Sequence, residues 1–172
     1  VFSGNDAGGA SATGGGCGGA MSSSFSHVSI VNSEFLDNHA DSEGGAIYAD
    51  FSELDCVASR FEGNQAGWMD VDLALGGAAY LLFTPATWTN CRIAYNMSLA
   101  QSAWGGGIAA GAAGTGKGDL ALTNCGVWGN WGFSFGMVDG GGGALSADTV
   151  SIINCTIAGN VTNPSFLPSP AV

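Results

Sequence analysis

Residues 35–47 read FLDNHADSEGGAI and contain two short motifs that recur along the chain. The first is an apolar residue, two variable residues and Asn, here Phe35 to Asn38. The second is Gly-Gly followed by a small and an apolar residue, here Gly44 to Ile47. Regular recurrence of such motifs is typical of a repeat protein whose units stack on one another.

The two motifs alternate without exception, and one arc between them is nearly constant in length. Successive Asn residues are 33, 26, 32, 34 and 30 positions apart, whereas the first Gly precedes the next Asn by 20, 20, 20, 25 and 18 positions. The motif residues are Asn5, Asn38, Asn64, Asn96, Asn130 and Asn160, and Gly18, Gly44, Gly76, Gly105 and Gly142. Each repeat therefore combines a fixed arc with a loop of variable length.

The fixed arc alternates with period two, which indicates strands rather than helices. Val28 and Ile30, for example, flank Ser29, and later repeats keep this pattern. Equivalent strands of successive repeats can stack in parallel about 4.8 Å apart. The sequence therefore predicts an all-β fold, a parallel β-solenoid of about five to six coils of roughly 30 residues. Residues 1–162 form this single domain, and the Pro-rich residues 163–172 are an expected exit or linker.

The composition excludes several classes of protein. Gly accounts for 30 of the 172 residues, and three basic residues against 14 acidic ones give a formal charge of −11. This charge opposes binding to nucleic acid or anionic lipid. No run of about 20 apolar residues is present that would span a bilayer, and glycines interrupt every stretch long enough for a stable helix.

Both motifs have a physical role in a stacked coil. Asn can adopt left-handed backbone angles at a turn, and its amide can bond to the Asn of the next coil. Gly-Gly permits a positive φ at a sharp turn and lets neighbouring coils approach closely.

The pairing of Gly44-Gly45-Ala46-Ile47 with Phe35-Leu36-Asp37-Asn38 and Phe61-Glu62-Gly63-Asn64 resembles the repeats of polymorphic membrane proteins. These are autotransporter-like surface adhesins whose passenger domains are right-handed β-helices. Later repeats depart from the motif, with Ile or Val in place of Phe. The resemblance implies a right-handed solenoid at the cell surface or outside the cell.

Three cysteines, Cys91, Cys125 and Cys155, share one predicted inward position in three successive repeats. No C-x-x-C pair is present, and both histidines lie outside this stack, so we expect stacked thiols rather than a zinc or redox site. A disulfide between neighbouring coils is compatible with the distance but not with relaxed geometry. Cys17 and Cys56 fall at other repeat positions.

Residues 34–72 contain ten of the 14 acidic side chains. Their oxygens could bind Ca²⁺, but no spacing matches a calcium loop, and we expect a solvated acidic face with no metal. The weak calcium candidates are Asp37, Asp41 and Glu43, or Asp70 and Asp72.

β-Helices include enzymes that cleave polysaccharides, which use clustered carboxylates together with basic side chains. The chain has only three basic residues, Arg60, Arg92 and Lys117, and each falls in a different repeat. A lyase or hydrolase therefore remains the remote alternative, and we expect no catalytic residue and no cofactor.

Aromatic side chains in loops or at outward positions are candidates for contact with a protein or a sugar. The alternative is that they cover the sides of the solenoid. These residues are Trp68, Trp104, Trp128 and Trp131, whereas Trp88 is predicted to point inward.

Three sequons begin at Asn96, Asn154 and Asn160. Asn96 and Asn160 are also motif residues whose amides are expected to bond within a turn, and Asn154 precedes an inward Cys. Asn160 is the preferred candidate for glycosylation.

The chain begins inside a repeat, at Phe2-Ser3-Gly4-Asn5, with no capping segment. We expect either excision from a longer polypeptide or stacking against another molecule, because solenoid ends expose strand edges. The expected function is a non-enzymatic extracellular building block of a surface appendage, fibre or filament that associates with itself. The alternative is an adhesin or carbohydrate-binding passenger fragment.

Overall fold

The computed structural model describes residues 1–8, 15–68, 71–111, 118–135 and 142–163. These residues form parallel strands and no helix. Two sheets have six strands each. Sheet A consists of β1 (Phe2–Ser3), β5 (Glu34–Leu36), β9 (Arg60–Glu62), β14 (Arg92–Ala94), β19 (Gly126–Trp128) and β23 (Thr156–Ala158). Sheet B consists of β2 (Asp6–Ala7), β6 (His39–Ala40), β10 (Gln65–Ala66), β15 (Met97–Ala100), β20 (Trp131–Ser134) and β24 (Val161–Asn163).

The remaining sheets complete each turn. The short sheet C pairs β11 (Leu73–Leu75) with β16 (Ser102–Trp104). Sheet D consists of β3 (Met21–Ser24), β7 (Ile47–Asp50), β12 (Ala79–Leu82), β17 (Ile108–Ala110) and β21 (Leu145–Ala147). Sheet E consists of β4 (His27–Val31), β8 (Glu53–Val57), β13 (Ala86–Thr89), β18 (Asp119–Thr123) and β22 (Thr149–Ile153).

This arrangement is a parallel β-solenoid, and the predicted fold class is confirmed. The predicted count of five to six coils is slightly too high, because the solenoid has about four turns. Sheets D and E have five strands each, whereas the shorter strands of sheets A and B number six in each sheet. The Pro-rich residues 164–172 and the loop residue Asp70 lie outside the described residues.

The predicted register is present in sheet E. Val28 pairs with Leu54, and Ile30 pairs with Cys56 in the neighbouring strand. The same two positions continue through every further strand of the sheet, where the partners are Ala86 and Trp88, Leu120 and Leu122, and Val150 and Ile152. Trp88 is fully buried, as predicted for an inward position.

The solenoid interior is a single apolar core formed by the inward residues of sheets A, D and E. Phe35 and Phe61 of sheet A stack with ring centroids 4.7 Å apart, and Trp88 of sheet E packs edge-on against Phe61. Burial of such side chains is the main favourable contribution to folding. No turn can bury its apolar face alone, so each turn depends on its neighbours.

Candidate functional site

The motif asparagines form a continuous row of amides along the boundary between sheets A and B, which we call the Asn ladder. It consists of Asn5, Asn38, Asn64, Asn96, Asn130 and Asn160. The Asn64 Nδ2 group donates to Asn96 Oδ1 at 2.9 Å and to the Phe35 carbonyl at 3.0 Å. Its Oδ1 accepts from the backbone N–H and the side chain of Asn38. These interior amides are therefore fully bonded and serve the fold.

The left-handed backbone angle at this turn lies one residue before the ladder Asn and not on it. Asp37 and Tyr95 have φ values of 51° and 57°, and Gly4, Gly63, Gly129 and Gly159 occupy the same position in other turns. The ladder Asn keeps negative φ because its side chain must point inward to reach the next Asn. The expectation of a left-handed Asn is thus wrong by one position.

The cysteine row contains a contact that repeat position did not predict. The Sγ atoms of Cys91 and Cys56 are 3.7 Å apart, and Cys56 is fully buried in sheet E. Further along the row, the Cys91 and Cys125 backbone N–H groups donate to the Sγ atoms of Cys125 and Cys155. All five cysteines are free thiols. Cys56 lies at the inward position of the alternation, eight residues before Asn64, as Trp88 lies eight residues before Asn96, but the alternation did not indicate its contact with Cys91.

Thiol ionisation is suppressed in this row. Interaction with Cys125 lowers the pKa of Cys91, but hydrogen bonding to Cys56 and burial raise it by more, to about 12. Cys17 lies outside the row, and there burial, followed by the nearby Glu43 carboxylate, raises the pKa of the thiol to about 11. A protonated thiol is a weak nucleophile and metal ligand, so this row suits packing rather than chemistry.

The four predicted contact tryptophans have different surroundings. Trp104 is half-buried beside Tyr80, and Trp128 lies under the Arg92 guanidinium, whose Cζ is 4.8 Å from the ring centroid. Trp68 packs on the His39 ring, with centroids 4.6 Å apart, and Trp131 is exposed. Trp68 and Trp131 therefore keep the most surface for a partner.

A more prominent aromatic surface lies at the turn between sheets D and E. Phe25, Phe51 and Phe83, which we call the Phe corner, are 79%, 49% and 41% exposed. Their rings stack in a row, with centroids 5.3 and 4.6 Å apart. All three residues have left-handed φ values of 43° to 50°. Each lies 13 residues before a ladder Asn, a constant offset that would have revealed the row in the sequence.

Hydroxyl groups hold the backbone of the Phe corner. The Ser26 N–H donates to Ser52 Oγ at 3.2 Å, and the Ser52 N–H donates to Thr84 Oγ1 at 3.1 Å. The Ser52 and Thr84 hydroxyls donate in turn to carbonyls two residues earlier, those of Asp50 and Leu82. Hydrogen bonds within each turn and to the neighbouring turn therefore hold the backbone from which the phenyl rings project.

A second surface with exposed aromatics lies beside the Asn ladder. A depression of about 300 Å³ is lined by Tyr95, Met97 and Trp131, together with Gln65 and backbone of the turns. The Tyr95 ring covers Gly129, where a Cβ atom would come within 2.7 Å of the ring. Aromatic rings next to an amide form the type of surface that stacks on sugars.

The weak calcium candidates Asp37, Asp41 and Glu43 do not form a group of potential metal ligands within the described residues, and Asp70 lies outside them. Asp72 accepts a hydrogen bond from Gln101, and Glu43 accepts one from the Cys17 thiol. Asp41 instead joins Asp6 and His39, the one group of three potential metal ligands in the described ranges. Asp6 and His39 each follow a ladder Asn directly, so the repeat distance relates these two residues, but it did not indicate that Asp41 joins them.

The three sequons differ in accessibility. Asn96 is fully buried and its Nδ2 group makes two hydrogen bonds, which oppose transfer of a glycan to the folded chain. The Asn160 Nδ2 group also makes two bonds. Asn154 is exposed at a left-handed turn, where its Nδ2 donates to Asn124 Oδ1 at 2.7 Å.

Residues 32–50, which span one Asn motif and one Gly-Gly turn, match the family model of the Chlamydia polymorphic membrane protein repeat. No curated protein and no solved structure matches the chain.

The match over residues 32–50 and the solenoid fold together suggest a surface-associated repeat protein. The same family points to the cell surface or outer membrane. Within the described residues, nothing helical has the length and apolarity needed to cross a bilayer.

Proposed function

We propose that this protein is a non-enzymatic extracellular structural protein, a β-helical building block of a surface appendage or fibre. The observation that carries the proposal is the Phe corner, an exposed row of stacked rings on the side of the solenoid. Contiguous exposed apolar surface on a soluble protein is typical of an interaction site. Repeats of the polymorphic membrane protein type are consistent with a location at the cell surface.

Folding alone does not favour Phe at these positions. A left-handed φ disfavours bulky side chains by about 1 kcal/mol or more, whereas Gly, Asn and Asp adopt it readily. Gly63, Gly129 and Asn90 follow that preference at other left-handed positions, whereas Ala58 and Tyr95 do not. The three phenylalanines are therefore better explained by contact with a partner than by the stability of the turn.

A second copy of this chain is the partner that fits best. The row extends over three neighbouring turns, so two solenoids lying side by side can place one row against the other. The formal charge of −11 repels copies from one another, so apolar contact through the Phe corner has to outweigh that repulsion.

Replacement of all three Phe corner residues by Asn tests this proposal. Asn suits the left-handed turn, so Phe25→Asn, Phe51→Asn and Phe83→Asn together should preserve the fold while removing the apolar row. The wild-type chain should form fibres in electron micrographs and large species in sedimentation velocity, and the triple variant should sediment as a monomer.

Tyr95→Asn is the matched control, because Tyr95 is also exposed and left-handed but lies at another turn. It should assemble like the wild type. A wild-type chain that stays monomeric at high concentration would refute the structural role, and a triple variant that still forms fibres would refute the contact through the Phe corner.

An adhesin is the second candidate function, and the depression lined by Tyr95 and Trp131 favours it. In that case the chain should bind sugars on a glycan array, and Trp131→Ala should abolish binding while assembly persists. Depolymerisation of a polysaccharide by the purified chain would instead support the enzymatic alternative.

A further inference from the structure

Stacking of the first two Asn-motif repeats brings together three metal-ligating side chains on sheet B. Asp6 lies in β2, His39 is its register partner in β6, and Asp41 follows two residues later. One potential ligand atom from each residue lies within 4.8 Å of those of the other two. His39 Nδ1 and Asp6 Oδ1 are 3.1 Å apart and hydrogen-bonded in the absence of an ion.

The surroundings of His39 hold the imidazole in place. Its side chain is only 16% exposed, and the Trp68 ring packs against it with centroids 4.6 Å apart. The second ring nitrogen, Nε2, is buried and has no hydrogen-bond partner. A neutral imidazole that gives Nδ1 to a metal keeps its single proton on Nε2, so metal binding has to outweigh the cost of this unpaired buried N–H.

The local charge also favours a cation. Asp6 and Asp41 contribute two carboxylates next to one imidazole, in a chain with a formal charge of −11. The two described arginines pair with glutamates of sheet A: Arg60 contacts Glu34 and Glu62, and Arg92 contacts Glu62. They therefore neutralise another part of the surface.

We propose that Asp6, His39 and Asp41 form a Zn²⁺ site that links two neighbouring turns of the solenoid. One imidazole nitrogen and two carboxylate oxygens are suitable zinc ligands, and water completes the tetrahedron. Two ligands at about 2.1 Å from a tetrahedral ion are about 3.4 Å apart, close to the observed separation of Nδ1 and Oδ1. Ca²⁺ requires six to eight oxygen ligands and is not suited to this group.

Zinc binding to the tag-free, reduced chain tests the proposal. Isothermal titration with ZnCl₂ should give one ion per chain, and zinc should raise the melting temperature. Asp6→Asn, a nearly isosteric change of an exposed side chain, and His39→Gln should each weaken binding by roughly tenfold or more. Circular dichroism should show that both variants retain the strand spectrum.

His27→Gln is the matched control. His27 also has two carboxylate neighbours, but they face opposite ring nitrogens, with Asp55 3.1 Å from Nε2 and Glu53 3.7 Å from Nδ1. Such an arrangement cannot converge on one ion, so His27→Gln should bind zinc like the wild type.

Three results would overturn the zinc site. The first is the absence of saturable binding, and the second is unchanged binding by folded His39→Gln and Asp6→Asn chains. The third concerns the thiols: a Co²⁺-loaded chain with strong thiolate-to-metal charge-transfer absorption would place the ion on cysteines. Retained binding in a Cys17→Ser chain, without that absorption, would support the nitrogen and oxygen ligands.

Discussion

A buried primary amide is stable only when all its donors and acceptors are used, and the Asn ladder meets this condition at every interior position. Asn38, Asn64, Asn96 and Asn130 are fully buried, and each bonds to the Asn of the turn before and the turn after. An unsatisfied buried polar group costs about 1–3 kcal/mol. Asn is required here because Asp cannot donate and Leu cannot bond at all.

Asn64→Ala should therefore be strongly destabilising. It removes the acceptor for two Asn38 donors, the donor to the Phe35 carbonyl and the donor to Asn96 Oδ1. We expect a loss of about 3 kcal/mol or more in the free energy of unfolding, measured by urea denaturation.

Asn90→Ala provides the comparison for that measurement. Asn90 is exposed and left-handed, and Ala58 occupies the equivalent turn position with a φ of 49°. This change should cost about 1 kcal/mol or less. Similar losses for Asn64→Ala and Asn90→Ala would show that the ladder bonds contribute little.

Among the structural elements, the Gly-Gly turn allows neighbouring turns of the solenoid to stack closely. The first glycine, such as Gly76, has a φ of 66°. The second, Gly77, faces the next turn so closely that a Cβ atom would lie 2.2 Å from the Gly106 carbonyl oxygen and 2.5 Å from the Met97 nitrogen. Backbone of the neighbouring turn fills this space, so no side-chain movement can relieve the overlap.

Gly77→Ala should accordingly lower the free energy of unfolding by about 3 kcal/mol or more. Gly132→Ala is the control, because a Cβ atom there would be 3.4 Å from the Gly142 carbonyl oxygen, an ordinary van der Waals distance. That variant should stay within about 1 kcal/mol of the wild type. Thermal and urea unfolding of both chains would measure the difference, and equal stability would refute the close stacking of turns.

The solenoid formed by this chain gains its stability from contacts between successive turns. The first and last strand of each sheet pair with one neighbouring strand only. Leu122 of β18 is 1% exposed, whereas its register partner Ile152 of β22 is 48% exposed. Nearest-neighbour stacking of this kind makes local stability depend on the position of a turn in the stack.

Amide hydrogen exchange should reveal this gradient. In the chain of 172 residues, amides of β8 and β13 should exchange most slowly, because strands on both sides pair with them. Amides of β1 and β24 should exchange most quickly. Mass spectrometry of peptic fragments would measure the rates, and uniform protection from β1 to β24 would indicate a single cooperative unit instead.

Local patterns were sufficient to predict the register of sheet E and the inward position of Trp88. The alternation has period two and the repeat supplies a constant offset from Asn, so each inward residue can be assigned without knowledge of the turns. The same logic predicted the Asn ladder amides, since equivalent residues of stacked repeats must be neighbours.

The alternation of apolar and polar residues, together with the repeat spacing, therefore determined the solenoid fold, its register and its apolar interior. The contact between Cys56 and Cys91, the exposed Phe corner and the group formed by Asp6, His39 and Asp41 depend on how each turn rotates its side chains. Loops of different length separate these residues, and a residue with φ near 50° bends the chain at each turn. Side-chain direction after such a turn is set by the stacked neighbours, so the stacking and exposure of the Phe corner and the approach of Asp41 to Asp6 and His39 became visible only in the folded structure.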